Sequence, residues 1–423
     1  MIKLLIPVAA ALFFCTTIMK AQDLPAEADT IRQDALNLYM QVSDHVRQEI
    51  TYVNYVREIR DADVYVIRTR QPTGAGGTMF TFFFNGQRKF AGMADTLSFT
   101  AYPDDTHDAV RAKEIQTLQL GLMRYVAKTP LSRYMEIRFN LPVSQTIQTD
   151  KWNNWVFRSS INGYLSGQKT YNQNYLFGRF SANRVTETSK LETSLSYNRS
   201  EDNFLINDDN FKSINSSRNA SVLYVHGLGD HWSAGGSTSI GSSSFNNINL
   251  RYTLLPGIEY NIFPYAESTR RQLRILYRIG LEYNNYIDTT IYEKTEETLG
   301  LHSLLLAYEI VQKWGSVNVS CNYRNYLHDF SKRNLGLNGF VSVRLFRGLS
   351  VNMGGGISLI HDQLSLVKGG ATTEEILLRR KELETQYRYF TSFGLTYTFG
   401  SIYTNVVNPR FGSSGGSTMV ISF

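Results

Sequence analysis

The sequence predicts a mainly β protein: an antiparallel transmembrane β-barrel of about twelve strands preceded by a small α+β periplasmic domain. Three observations carry the prediction. The chain begins with an apolar leader, almost everything after Trp152 alternates with a period of two, and the connections are short at one end of the strands and long at the other.

The leader reads MIKLLIPVAAALFFCTTIMKAQDL. Lys3 supplies a positive start, residues 4–19 an apolar run, and Ala21 a small residue before a cut near Gln22, so residues 1–21 are a secretory signal peptide. The run is short for a helical anchor, which needs about 20 apolar residues, and no later segment approaches that length. Cys15 follows Phe14, where lipoprotein processing requires a small residue, so a lipid anchor is not expected. The exported chain then keeps Cys321 alone and forms no internal disulfide.

The net charge of +6 is spread along the chain, which together with export argues against a nucleic-acid partner. The chain carries 26 tyrosines and 24 phenylalanines, yet its mean hydropathy lies slightly below zero. That average does not exclude a membrane protein, because lipid-facing and lumen-facing residues cancel along a barrel strand.

Residues 23–147 mix strand and helix signals and form the α+β domain. Residues 35–41 (ALNLYMQ) are a strand, and Ser43 caps a short helix to about Ile50. Residues 63–70 alternate as a second strand, and PTGAGG is a turn. Residues 78–84 are expected to pair with 87–92 across Asn85-Gly86, a type I′ hairpin signal, and 96–102 add another strand. Thr106 caps a helix to 127 in which Val110, Ile115, Leu118, Leu122 and Val126 recur at helical spacing, and 135–141 form a last strand.

In the barrel, residues 152–399, strands are expected to begin near 153, 172, 188, 217, 231, 247, 271, 299, 316, 334, 349 and 384. The segment QLRILYRIGLEYNNY (272–286) shows the pattern best. Leu273, Ile275, Tyr277, Ile279, Leu281 and Tyr283 share one parity, and Arg274, Arg278 and Glu282 the other. VTETS, HGLGDHW, NIFPYAESTR, QKWGS and FRGL are the short links, all on the side of the N-terminal domain. The opposite links include 200–216, 287–299 and 362–384, which are long, polar and charged, as in outer-membrane barrels. A soluble β-sandwich or lipocalin-like protein also alternates, but with shorter strands and without such asymmetry. Aromatic residues near strand ends, including Trp155, Trp232, Trp314 and Phe399, fit interfacial girdles.

An Arg or Lys facing hydrocarbon near the midplane costs about 2–4 kcal/mol, so the charged parity must point inward. This assigns Arg158, Arg179, Arg251, Glu259, Arg274, Arg278, Glu282, Glu309, Arg324, Arg344 and Arg388 to the lumen, with Lys190 and Glu192. Two uses of these charges compete. Opposite charges pair across the lumen and fix register, or an excess of positive charge lines a narrow passage and favours anions.

No catalytic, metal or cofactor residue is assigned. His226, Asp230 and His231 in HGLGDHW sit in a tight turn, where a polar turn explains them better than a metal site. TGAGGT lacks the Lys-Ser/Thr of a phosphate-binding loop. His302, His328 and His361 fall near the outer rim, where an outer-membrane phospholipase keeps its site, but none has a serine at convincing spacing. Residues 400–423 are a Gly/Ser-rich tail. Either strand twelve ends at Phe399 and the tail returns to the periplasm, or 418–423 form a terminal strand.

In topology, the first region resembles small periplasmic modules of the Tol system and of curli-type secretion components, through residues 61–66, the glycine-marked hairpin and the helix 106–127. The combination QEITYVNYVREIRDADVYV (48–66), TGAGGT (73–78), FAGMADTLSF (90–99), LGLMRYVAKTPL (120–131), WNNWVFRSSINGY (152–164), SANRVTE (181–187) and FGSIYTNVVNPRF (399–411) resembles a family of uncharacterised outer-membrane barrels with an N-terminal periplasmic domain. The resemblance implies location and no chemistry. The expected function is therefore non-enzymatic: a channel, or a transport or assembly component of the envelope. The alternatives are a plugged scaffold that docks a periplasmic partner and a lipid hydrolase. Expected partners are outer-membrane lipid, the barrel-insertion machinery and a periplasmic protein bound through residues 23–147.

Overall fold

The computed structural model describes residues 34–41, 43–74, 76–136, 151–206, 209–369 and 382–401. The leader, residues 137–141 of the expected last N-terminal strand, and the tail beyond Ser401 lie outside them.

The N-terminal domain contains β1 (Leu36–Tyr39), α1 (Asp44–Glu49), β2 (Val53–Tyr55), β3 (Val64–Pro72), β4 (Thr78–Gly86), β5 (Ala94–Ala101) and α2 (His107–Val126). Its five-stranded sheet has the order β2-β1-β3-β4-β5, with β1 parallel to both neighbours and the rest antiparallel. The Thr106 hydroxyl accepts the Ala109 amide at 3.2 Å and starts α2 as its sequence predicts. Leu118, Leu122 and Tyr125 then pack on Phe82 and Phe84, all buried. Each such side chain contributes about 1.5–3 kcal/mol on burial. Gly121 permits this contact, since a Cβ there would lie 2.1 Å from the Phe84 ring.

Asn85-Gly86 is not a hairpin turn. β4 continues through Gly86, a 3₁₀ turn at Arg88–Phe90 buries the Phe90 ring, and β4 pairs instead with β5. Burying the Phe90 ring outweighs the local turn preference of Asn-Gly. The three-residue β2, parallel to β1, is too short to give a periodic signal.

The second unit holds twelve strands: β6 (Trp155–Gln168), β7 (Tyr171–Val185), β8 (Ser189–Ile206), β9 (Asp209–Gly227), β10 (Trp232–Ser243), β11 (Ile248–Asn261), β12 (Arg271–Tyr286), β13 (Glu296–Gln312), β14 (Gly315–Tyr326), β15 (Asp329–Phe346), β16 (Leu349–Ile360) and β17 (Tyr387–Tyr397). Each pairs antiparallel with the next, from β6 to β17 in sequence order. The strands begin close to their expected positions except β9 and β15, which start earlier. Much of the expected loop over 200–216 is thus strand, with β8 and β9 extending as a long hairpin. Its few apolar residues are divided between the faces, Phe204 and Phe211 on one and Leu205 and Ile214 on the other, so alternation is invisible there.

The sheet rolls. Gly74 on the N-terminal domain approaches so closely to Val185 at the end of β7 that a Cβ would lie 2.0 Å from it. The carboxylate of Glu58 on the same domain accepts the Gly348 amide, between β15 and β16, at 3.0 Å. In a flat sheet β7 and β15 would stand about 38 Å apart at 4.8 Å per strand, more than a domain of this size spans. β6 and β17 are the two ends of the sheet, and no pairing joins them among the described residues.

Candidate functional site

Residues paired directly across an antiparallel ladder share a face, so register sorts the side chains. One row runs Arg158, Ser181, Ser194, Ser221, Ser239, Thr253 and Glu282 from β6 to β12. All eleven sequence-assigned charged residues lie on this concave face, as do Lys190 and Glu192. The opposite face presents exposed apolar residues around the sheet, among them Ile161, Phe180, Leu195, Ile240, Leu254, Ile279, Leu281, Leu337, Ile357 and Phe393.

The charges do not all come together. Glu282, buried, is the hub of the largest cluster. Arg324 donates to it at 2.8 Å, Asn284 at 3.0 Å and the Tyr326 hydroxyl at 3.1 Å, while Arg251 stands 3.7 Å away. Arg251 also donates to Asn284 at 2.6 Å. Three strands, β11, β12 and β14, are thereby tied over a floor of Leu299 and Leu301 on β13.

Nearer the N-terminal domain, Glu259 lies 3.7 Å from Arg274 and accepts the Tyr265 hydroxyl at 3.0 Å, and Ser233 lies 2.8 Å from that hydroxyl. Glu309 accepts Gln272 at 3.0 Å. Arg278 meets no carboxylate among the described residues, and its Nε is buried without a hydrogen bond. Arg158 and Arg179 likewise make no ion pair there and border a cavity of about 370 Å³ with Gly76 of the TGAGGT turn. Arg388 is exposed on β17 opposite Ser358.

Both mouths are occupied by the chain itself. At the domain side, Arg344 stands 3.6 Å from Glu58 and stacks over Tyr39 at 5.1 Å, and Arg347 lies 3.9 Å from Asp61. Burial raises the Tyr39 hydroxyl above its ordinary pKa, against the pull of the Arg344 charge. Gln71 donates to Ser268 at 3.2 Å, and Arg270 stacks on Phe83 at 5.0 Å. A polar cavity of about 580 Å³ remains between domain and sheet, bordered by Arg68, Arg70, Glu309, Asn318 and Arg344.

At the loop side, the chain after β16 folds inward. Leu364 packs on Leu255, Leu299, Leu301 and Tyr326. Asn247 donates to Ser365 O at 3.0 Å, and the Ile291 amide donates to Leu366 O at 2.8 Å. Sequence reasoning missed this inward segment and also Glu58, because neither carries a periodic signal. It also missed Tyr326 and Asn284 as ligands of Glu282, although each shares the parity of an assigned charge, Arg324 and Glu282.

Among the histidines, His328 packs on the Tyr326 ring of the Glu282 cluster, with centroids 5.9 Å apart. His302 faces outward between Tyr277 and Tyr323, each 5.9 Å away by ring centroid, and His231 Nδ1 lies 2.7 Å from Asn261 O. No group of three His, Cys, Asp or Glu residues is placed to hold a metal ion among the described residues.

No protein-family model and no curated protein matches the chain. Among solved structures, the chain is similar to one described as "NanC porin structure in rhombohedral crystal form", at 10% identity, covering 57% of this chain and 99% of that one, with a TM-score of 0.29. It is also similar to the translocator domain of the autotransporter NalP from Neisseria meningitidis, at 10% identity, covering 58% of this chain and 82% of that one, with a TM-score of 0.18. Scores this low carry no argument, and the fold rests on the strand pairing above.

Proposed function

We propose that the chain is an outer-membrane β-barrel whose interior is closed at both mouths by its own segments, and that it serves as a membrane-held scaffold in envelope assembly or transport. The observation that carries this reading is the division of the rolled sheet into two unlike faces. The outer face exposes apolar side chains on strand after strand, while the inner face collects the charges. An exposed apolar band of that extent is unfavourable in water and favourable in hydrocarbon.

The closed interior is supported by Leu364, packed on Leu255, Leu299, Leu301 and Tyr326, and by the Glu58–Arg344 contact at the opposite mouth. In this reading the N-terminal domain lies in the periplasm, where a plain diffusion pore needs no such domain, and offers a surface to a periplasmic protein. The reading contains no catalytic step.

Reconstitution of the full chain into planar bilayers tests it. The protein is expected to insert and to show no steady conductance, and its domain to capture a periplasmic protein in cross-linking. Steady porin-like conductance would overturn the closed scaffold. A second reading, a gated anion passage, is favoured by Arg158, Arg179 and Arg278, which face inward without carboxylate partners among the described residues.

A further inference from the structure

We propose that a phosphorylated lipid binds the outer wall of β6–β11, its acyl chain in a furrow over Gly178 and Ala220 and its phosphate on Arg218. This rests on the membrane reading above, and on three observations of its own.

The first is shape. The outer wall holds a furrow of about 650 Å³, bordered by Ile161, Phe180, Leu195, Ile240 and Leu250. That volume falls in the range of about 300–1,000 Å³ typical of ligand sites. Its floor is low because Gly178 and Ala220 replace the large side chains found elsewhere on this face. A Cβ at Gly178 would meet no atom within 4 Å. In the row of Ala220, by contrast, the neighbouring strands carry Phe180, Leu195, Ile240 and Tyr252.

The second is charge. Arg218 pairs across the ladder with Tyr197 and Ser242, which puts it on the outward face, one row from Ala220 toward the long-loop end. Its guanidinium lies 5.9 Å from the centroid of the Tyr197 ring and makes no ion pair among the described residues. Facing hydrocarbon, an Arg costs about 2–4 kcal/mol near the midplane and less toward the interface. A lipid phosphate removes that cost, and guanidinium recognises phosphate with two parallel hydrogen bonds.

The third is order along the strand. Apolar residues around Ala220 occupy the furrow, Gly178 and Arg218 share the row at its upper edge on either side of Tyr197, and Arg199, held by Glu201 at 3.1 Å, stands one row beyond on the same face. This is the sequence of tail, phosphate and polar headgroup that an outer-leaflet lipid presents.

The test uses the full chain in detergent, native mass spectrometry, and a diphosphorylated glycolipid of the lipid A type. The same glycolipid without its phosphates, and inorganic phosphate, serve as comparisons. One phosphorylated glycolipid is expected to be retained per chain. Removing the phosphates, Arg218→Gln, or Gly178→Leu should each weaken retention about tenfold, equivalent to a single charge-assisted contact. Equal retention with and without phosphates, or unchanged retention in both variants, overturns the proposal. So does inorganic phosphate binding as well as the glycolipid, or a dimer that Gly178→Leu dissociates with no lipid bound. Liposome flotation separates the two levels. Insertion without glycolipid retention defeats this inference alone, and failure to insert defeats the membrane reading with it.

Discussion

Arg324 on β14 reaches over β13 to donate a 2.8 Å hydrogen bond to Glu282 on β12, so two strands that do not pair are joined through their side chains. Arg251, Asn284 and Tyr326 complete the shell around the same carboxylate. A buried carboxylate is tolerated only when its lone pairs are filled, and here three donors and a second guanidinium do so. This cluster fixes the relative register of β11 to β14 from the inside.

Glu282→Ala leaves Arg251 and Arg324 without their carboxylate and should cost about 3–5 kcal/mol. Denaturant unfolding in detergent, followed by tryptophan fluorescence, measures it. The double change Glu282→Leu with Arg324→Leu should recover part of the loss, since the uncompensated Arg324 charge is gone. A double variant no better than Glu282→Ala would mean that the pair does not act as a unit.

The outer face makes a second prediction. Leu281 is 56% exposed on β12, in the same strand as the inward Arg278 and Glu282. Leu281→Arg should reduce stability in lipid vesicles by about 2–4 kcal/mol, and Gly280→Ala should fail for another reason, since its Cβ would lie 1.9 Å from Leu254 O. If Leu281→Arg is neutral in vesicles, that face does not meet hydrocarbon.

Alternation made the faces legible, because one parity of β12 is Leu, Ile and Tyr and the other carries Arg and Glu. It also located all twelve strands, and the short and long links oriented them. What it could not supply were contacts between distant parts of the chain. Glu58 looks like any surface glutamate in sequence, yet it is buried against Arg344 and Gly348, 286 and 290 positions away by subtraction of their numbers. Leu364 sits in a charged loop and gains its burial from strands that precede it by several hairpins. The extended β8–β9 hairpin was hidden for a different reason: its apolar residues, Phe204, Leu205, Phe211 and Ile214, fall on both faces and leave no contrast between them.

The N-terminal domain should lose stability in alkali. Burial raises Tyr52 to about 12 from an ordinary 10.0, and raises Tyr55 further in the same direction. Tyr55 also donates to Ile50 O at 3.0 Å. The folded domain therefore keeps protons that the unfolded chain releases above pH 10. Stability is full below pH 10 and falls as pH rises through the folded values, by up to about 1.4 kcal/mol per pH unit for each tyrosine. Near-UV circular dichroism of Tyr55→Phe against the parent, between pH 9 and 12, checks this. The variant should lose less, and an equal loss would place the alkaline weakness elsewhere.

The contact between Glu58 and Arg344 makes the last prediction, because it joins the domain to the turn between β15 and β16. Glu58 holds Arg344 at 3.6 Å and accepts the Gly348 amide at 3.0 Å, and Gly348 keeps a φ of +76° that a Cβ would oppose at 2.1 Å from Thr398 O. Glu58→Ala removes both contacts and leaves Arg344 with its stack on Tyr39 and a 3.4 Å hydrogen bond to Arg57 O. The domain should then open at this edge, and limited proteolysis should cut between the two units faster than in the parent. Arg158, Arg179 and Arg278 face inward without carboxylate partners among the described residues. If the inward loop at Leu364 also yields, in a variant combining Glu58→Ala with Leu364→Asp, planar bilayers should show conductance with a reversal potential on the anion side. Cation preference in that double variant would show that the unpaired arginines do not set the field. Unchanged proteolysis of Glu58→Ala would show that the domain is held by its other contacts, at Val185, Ser268 and Arg270.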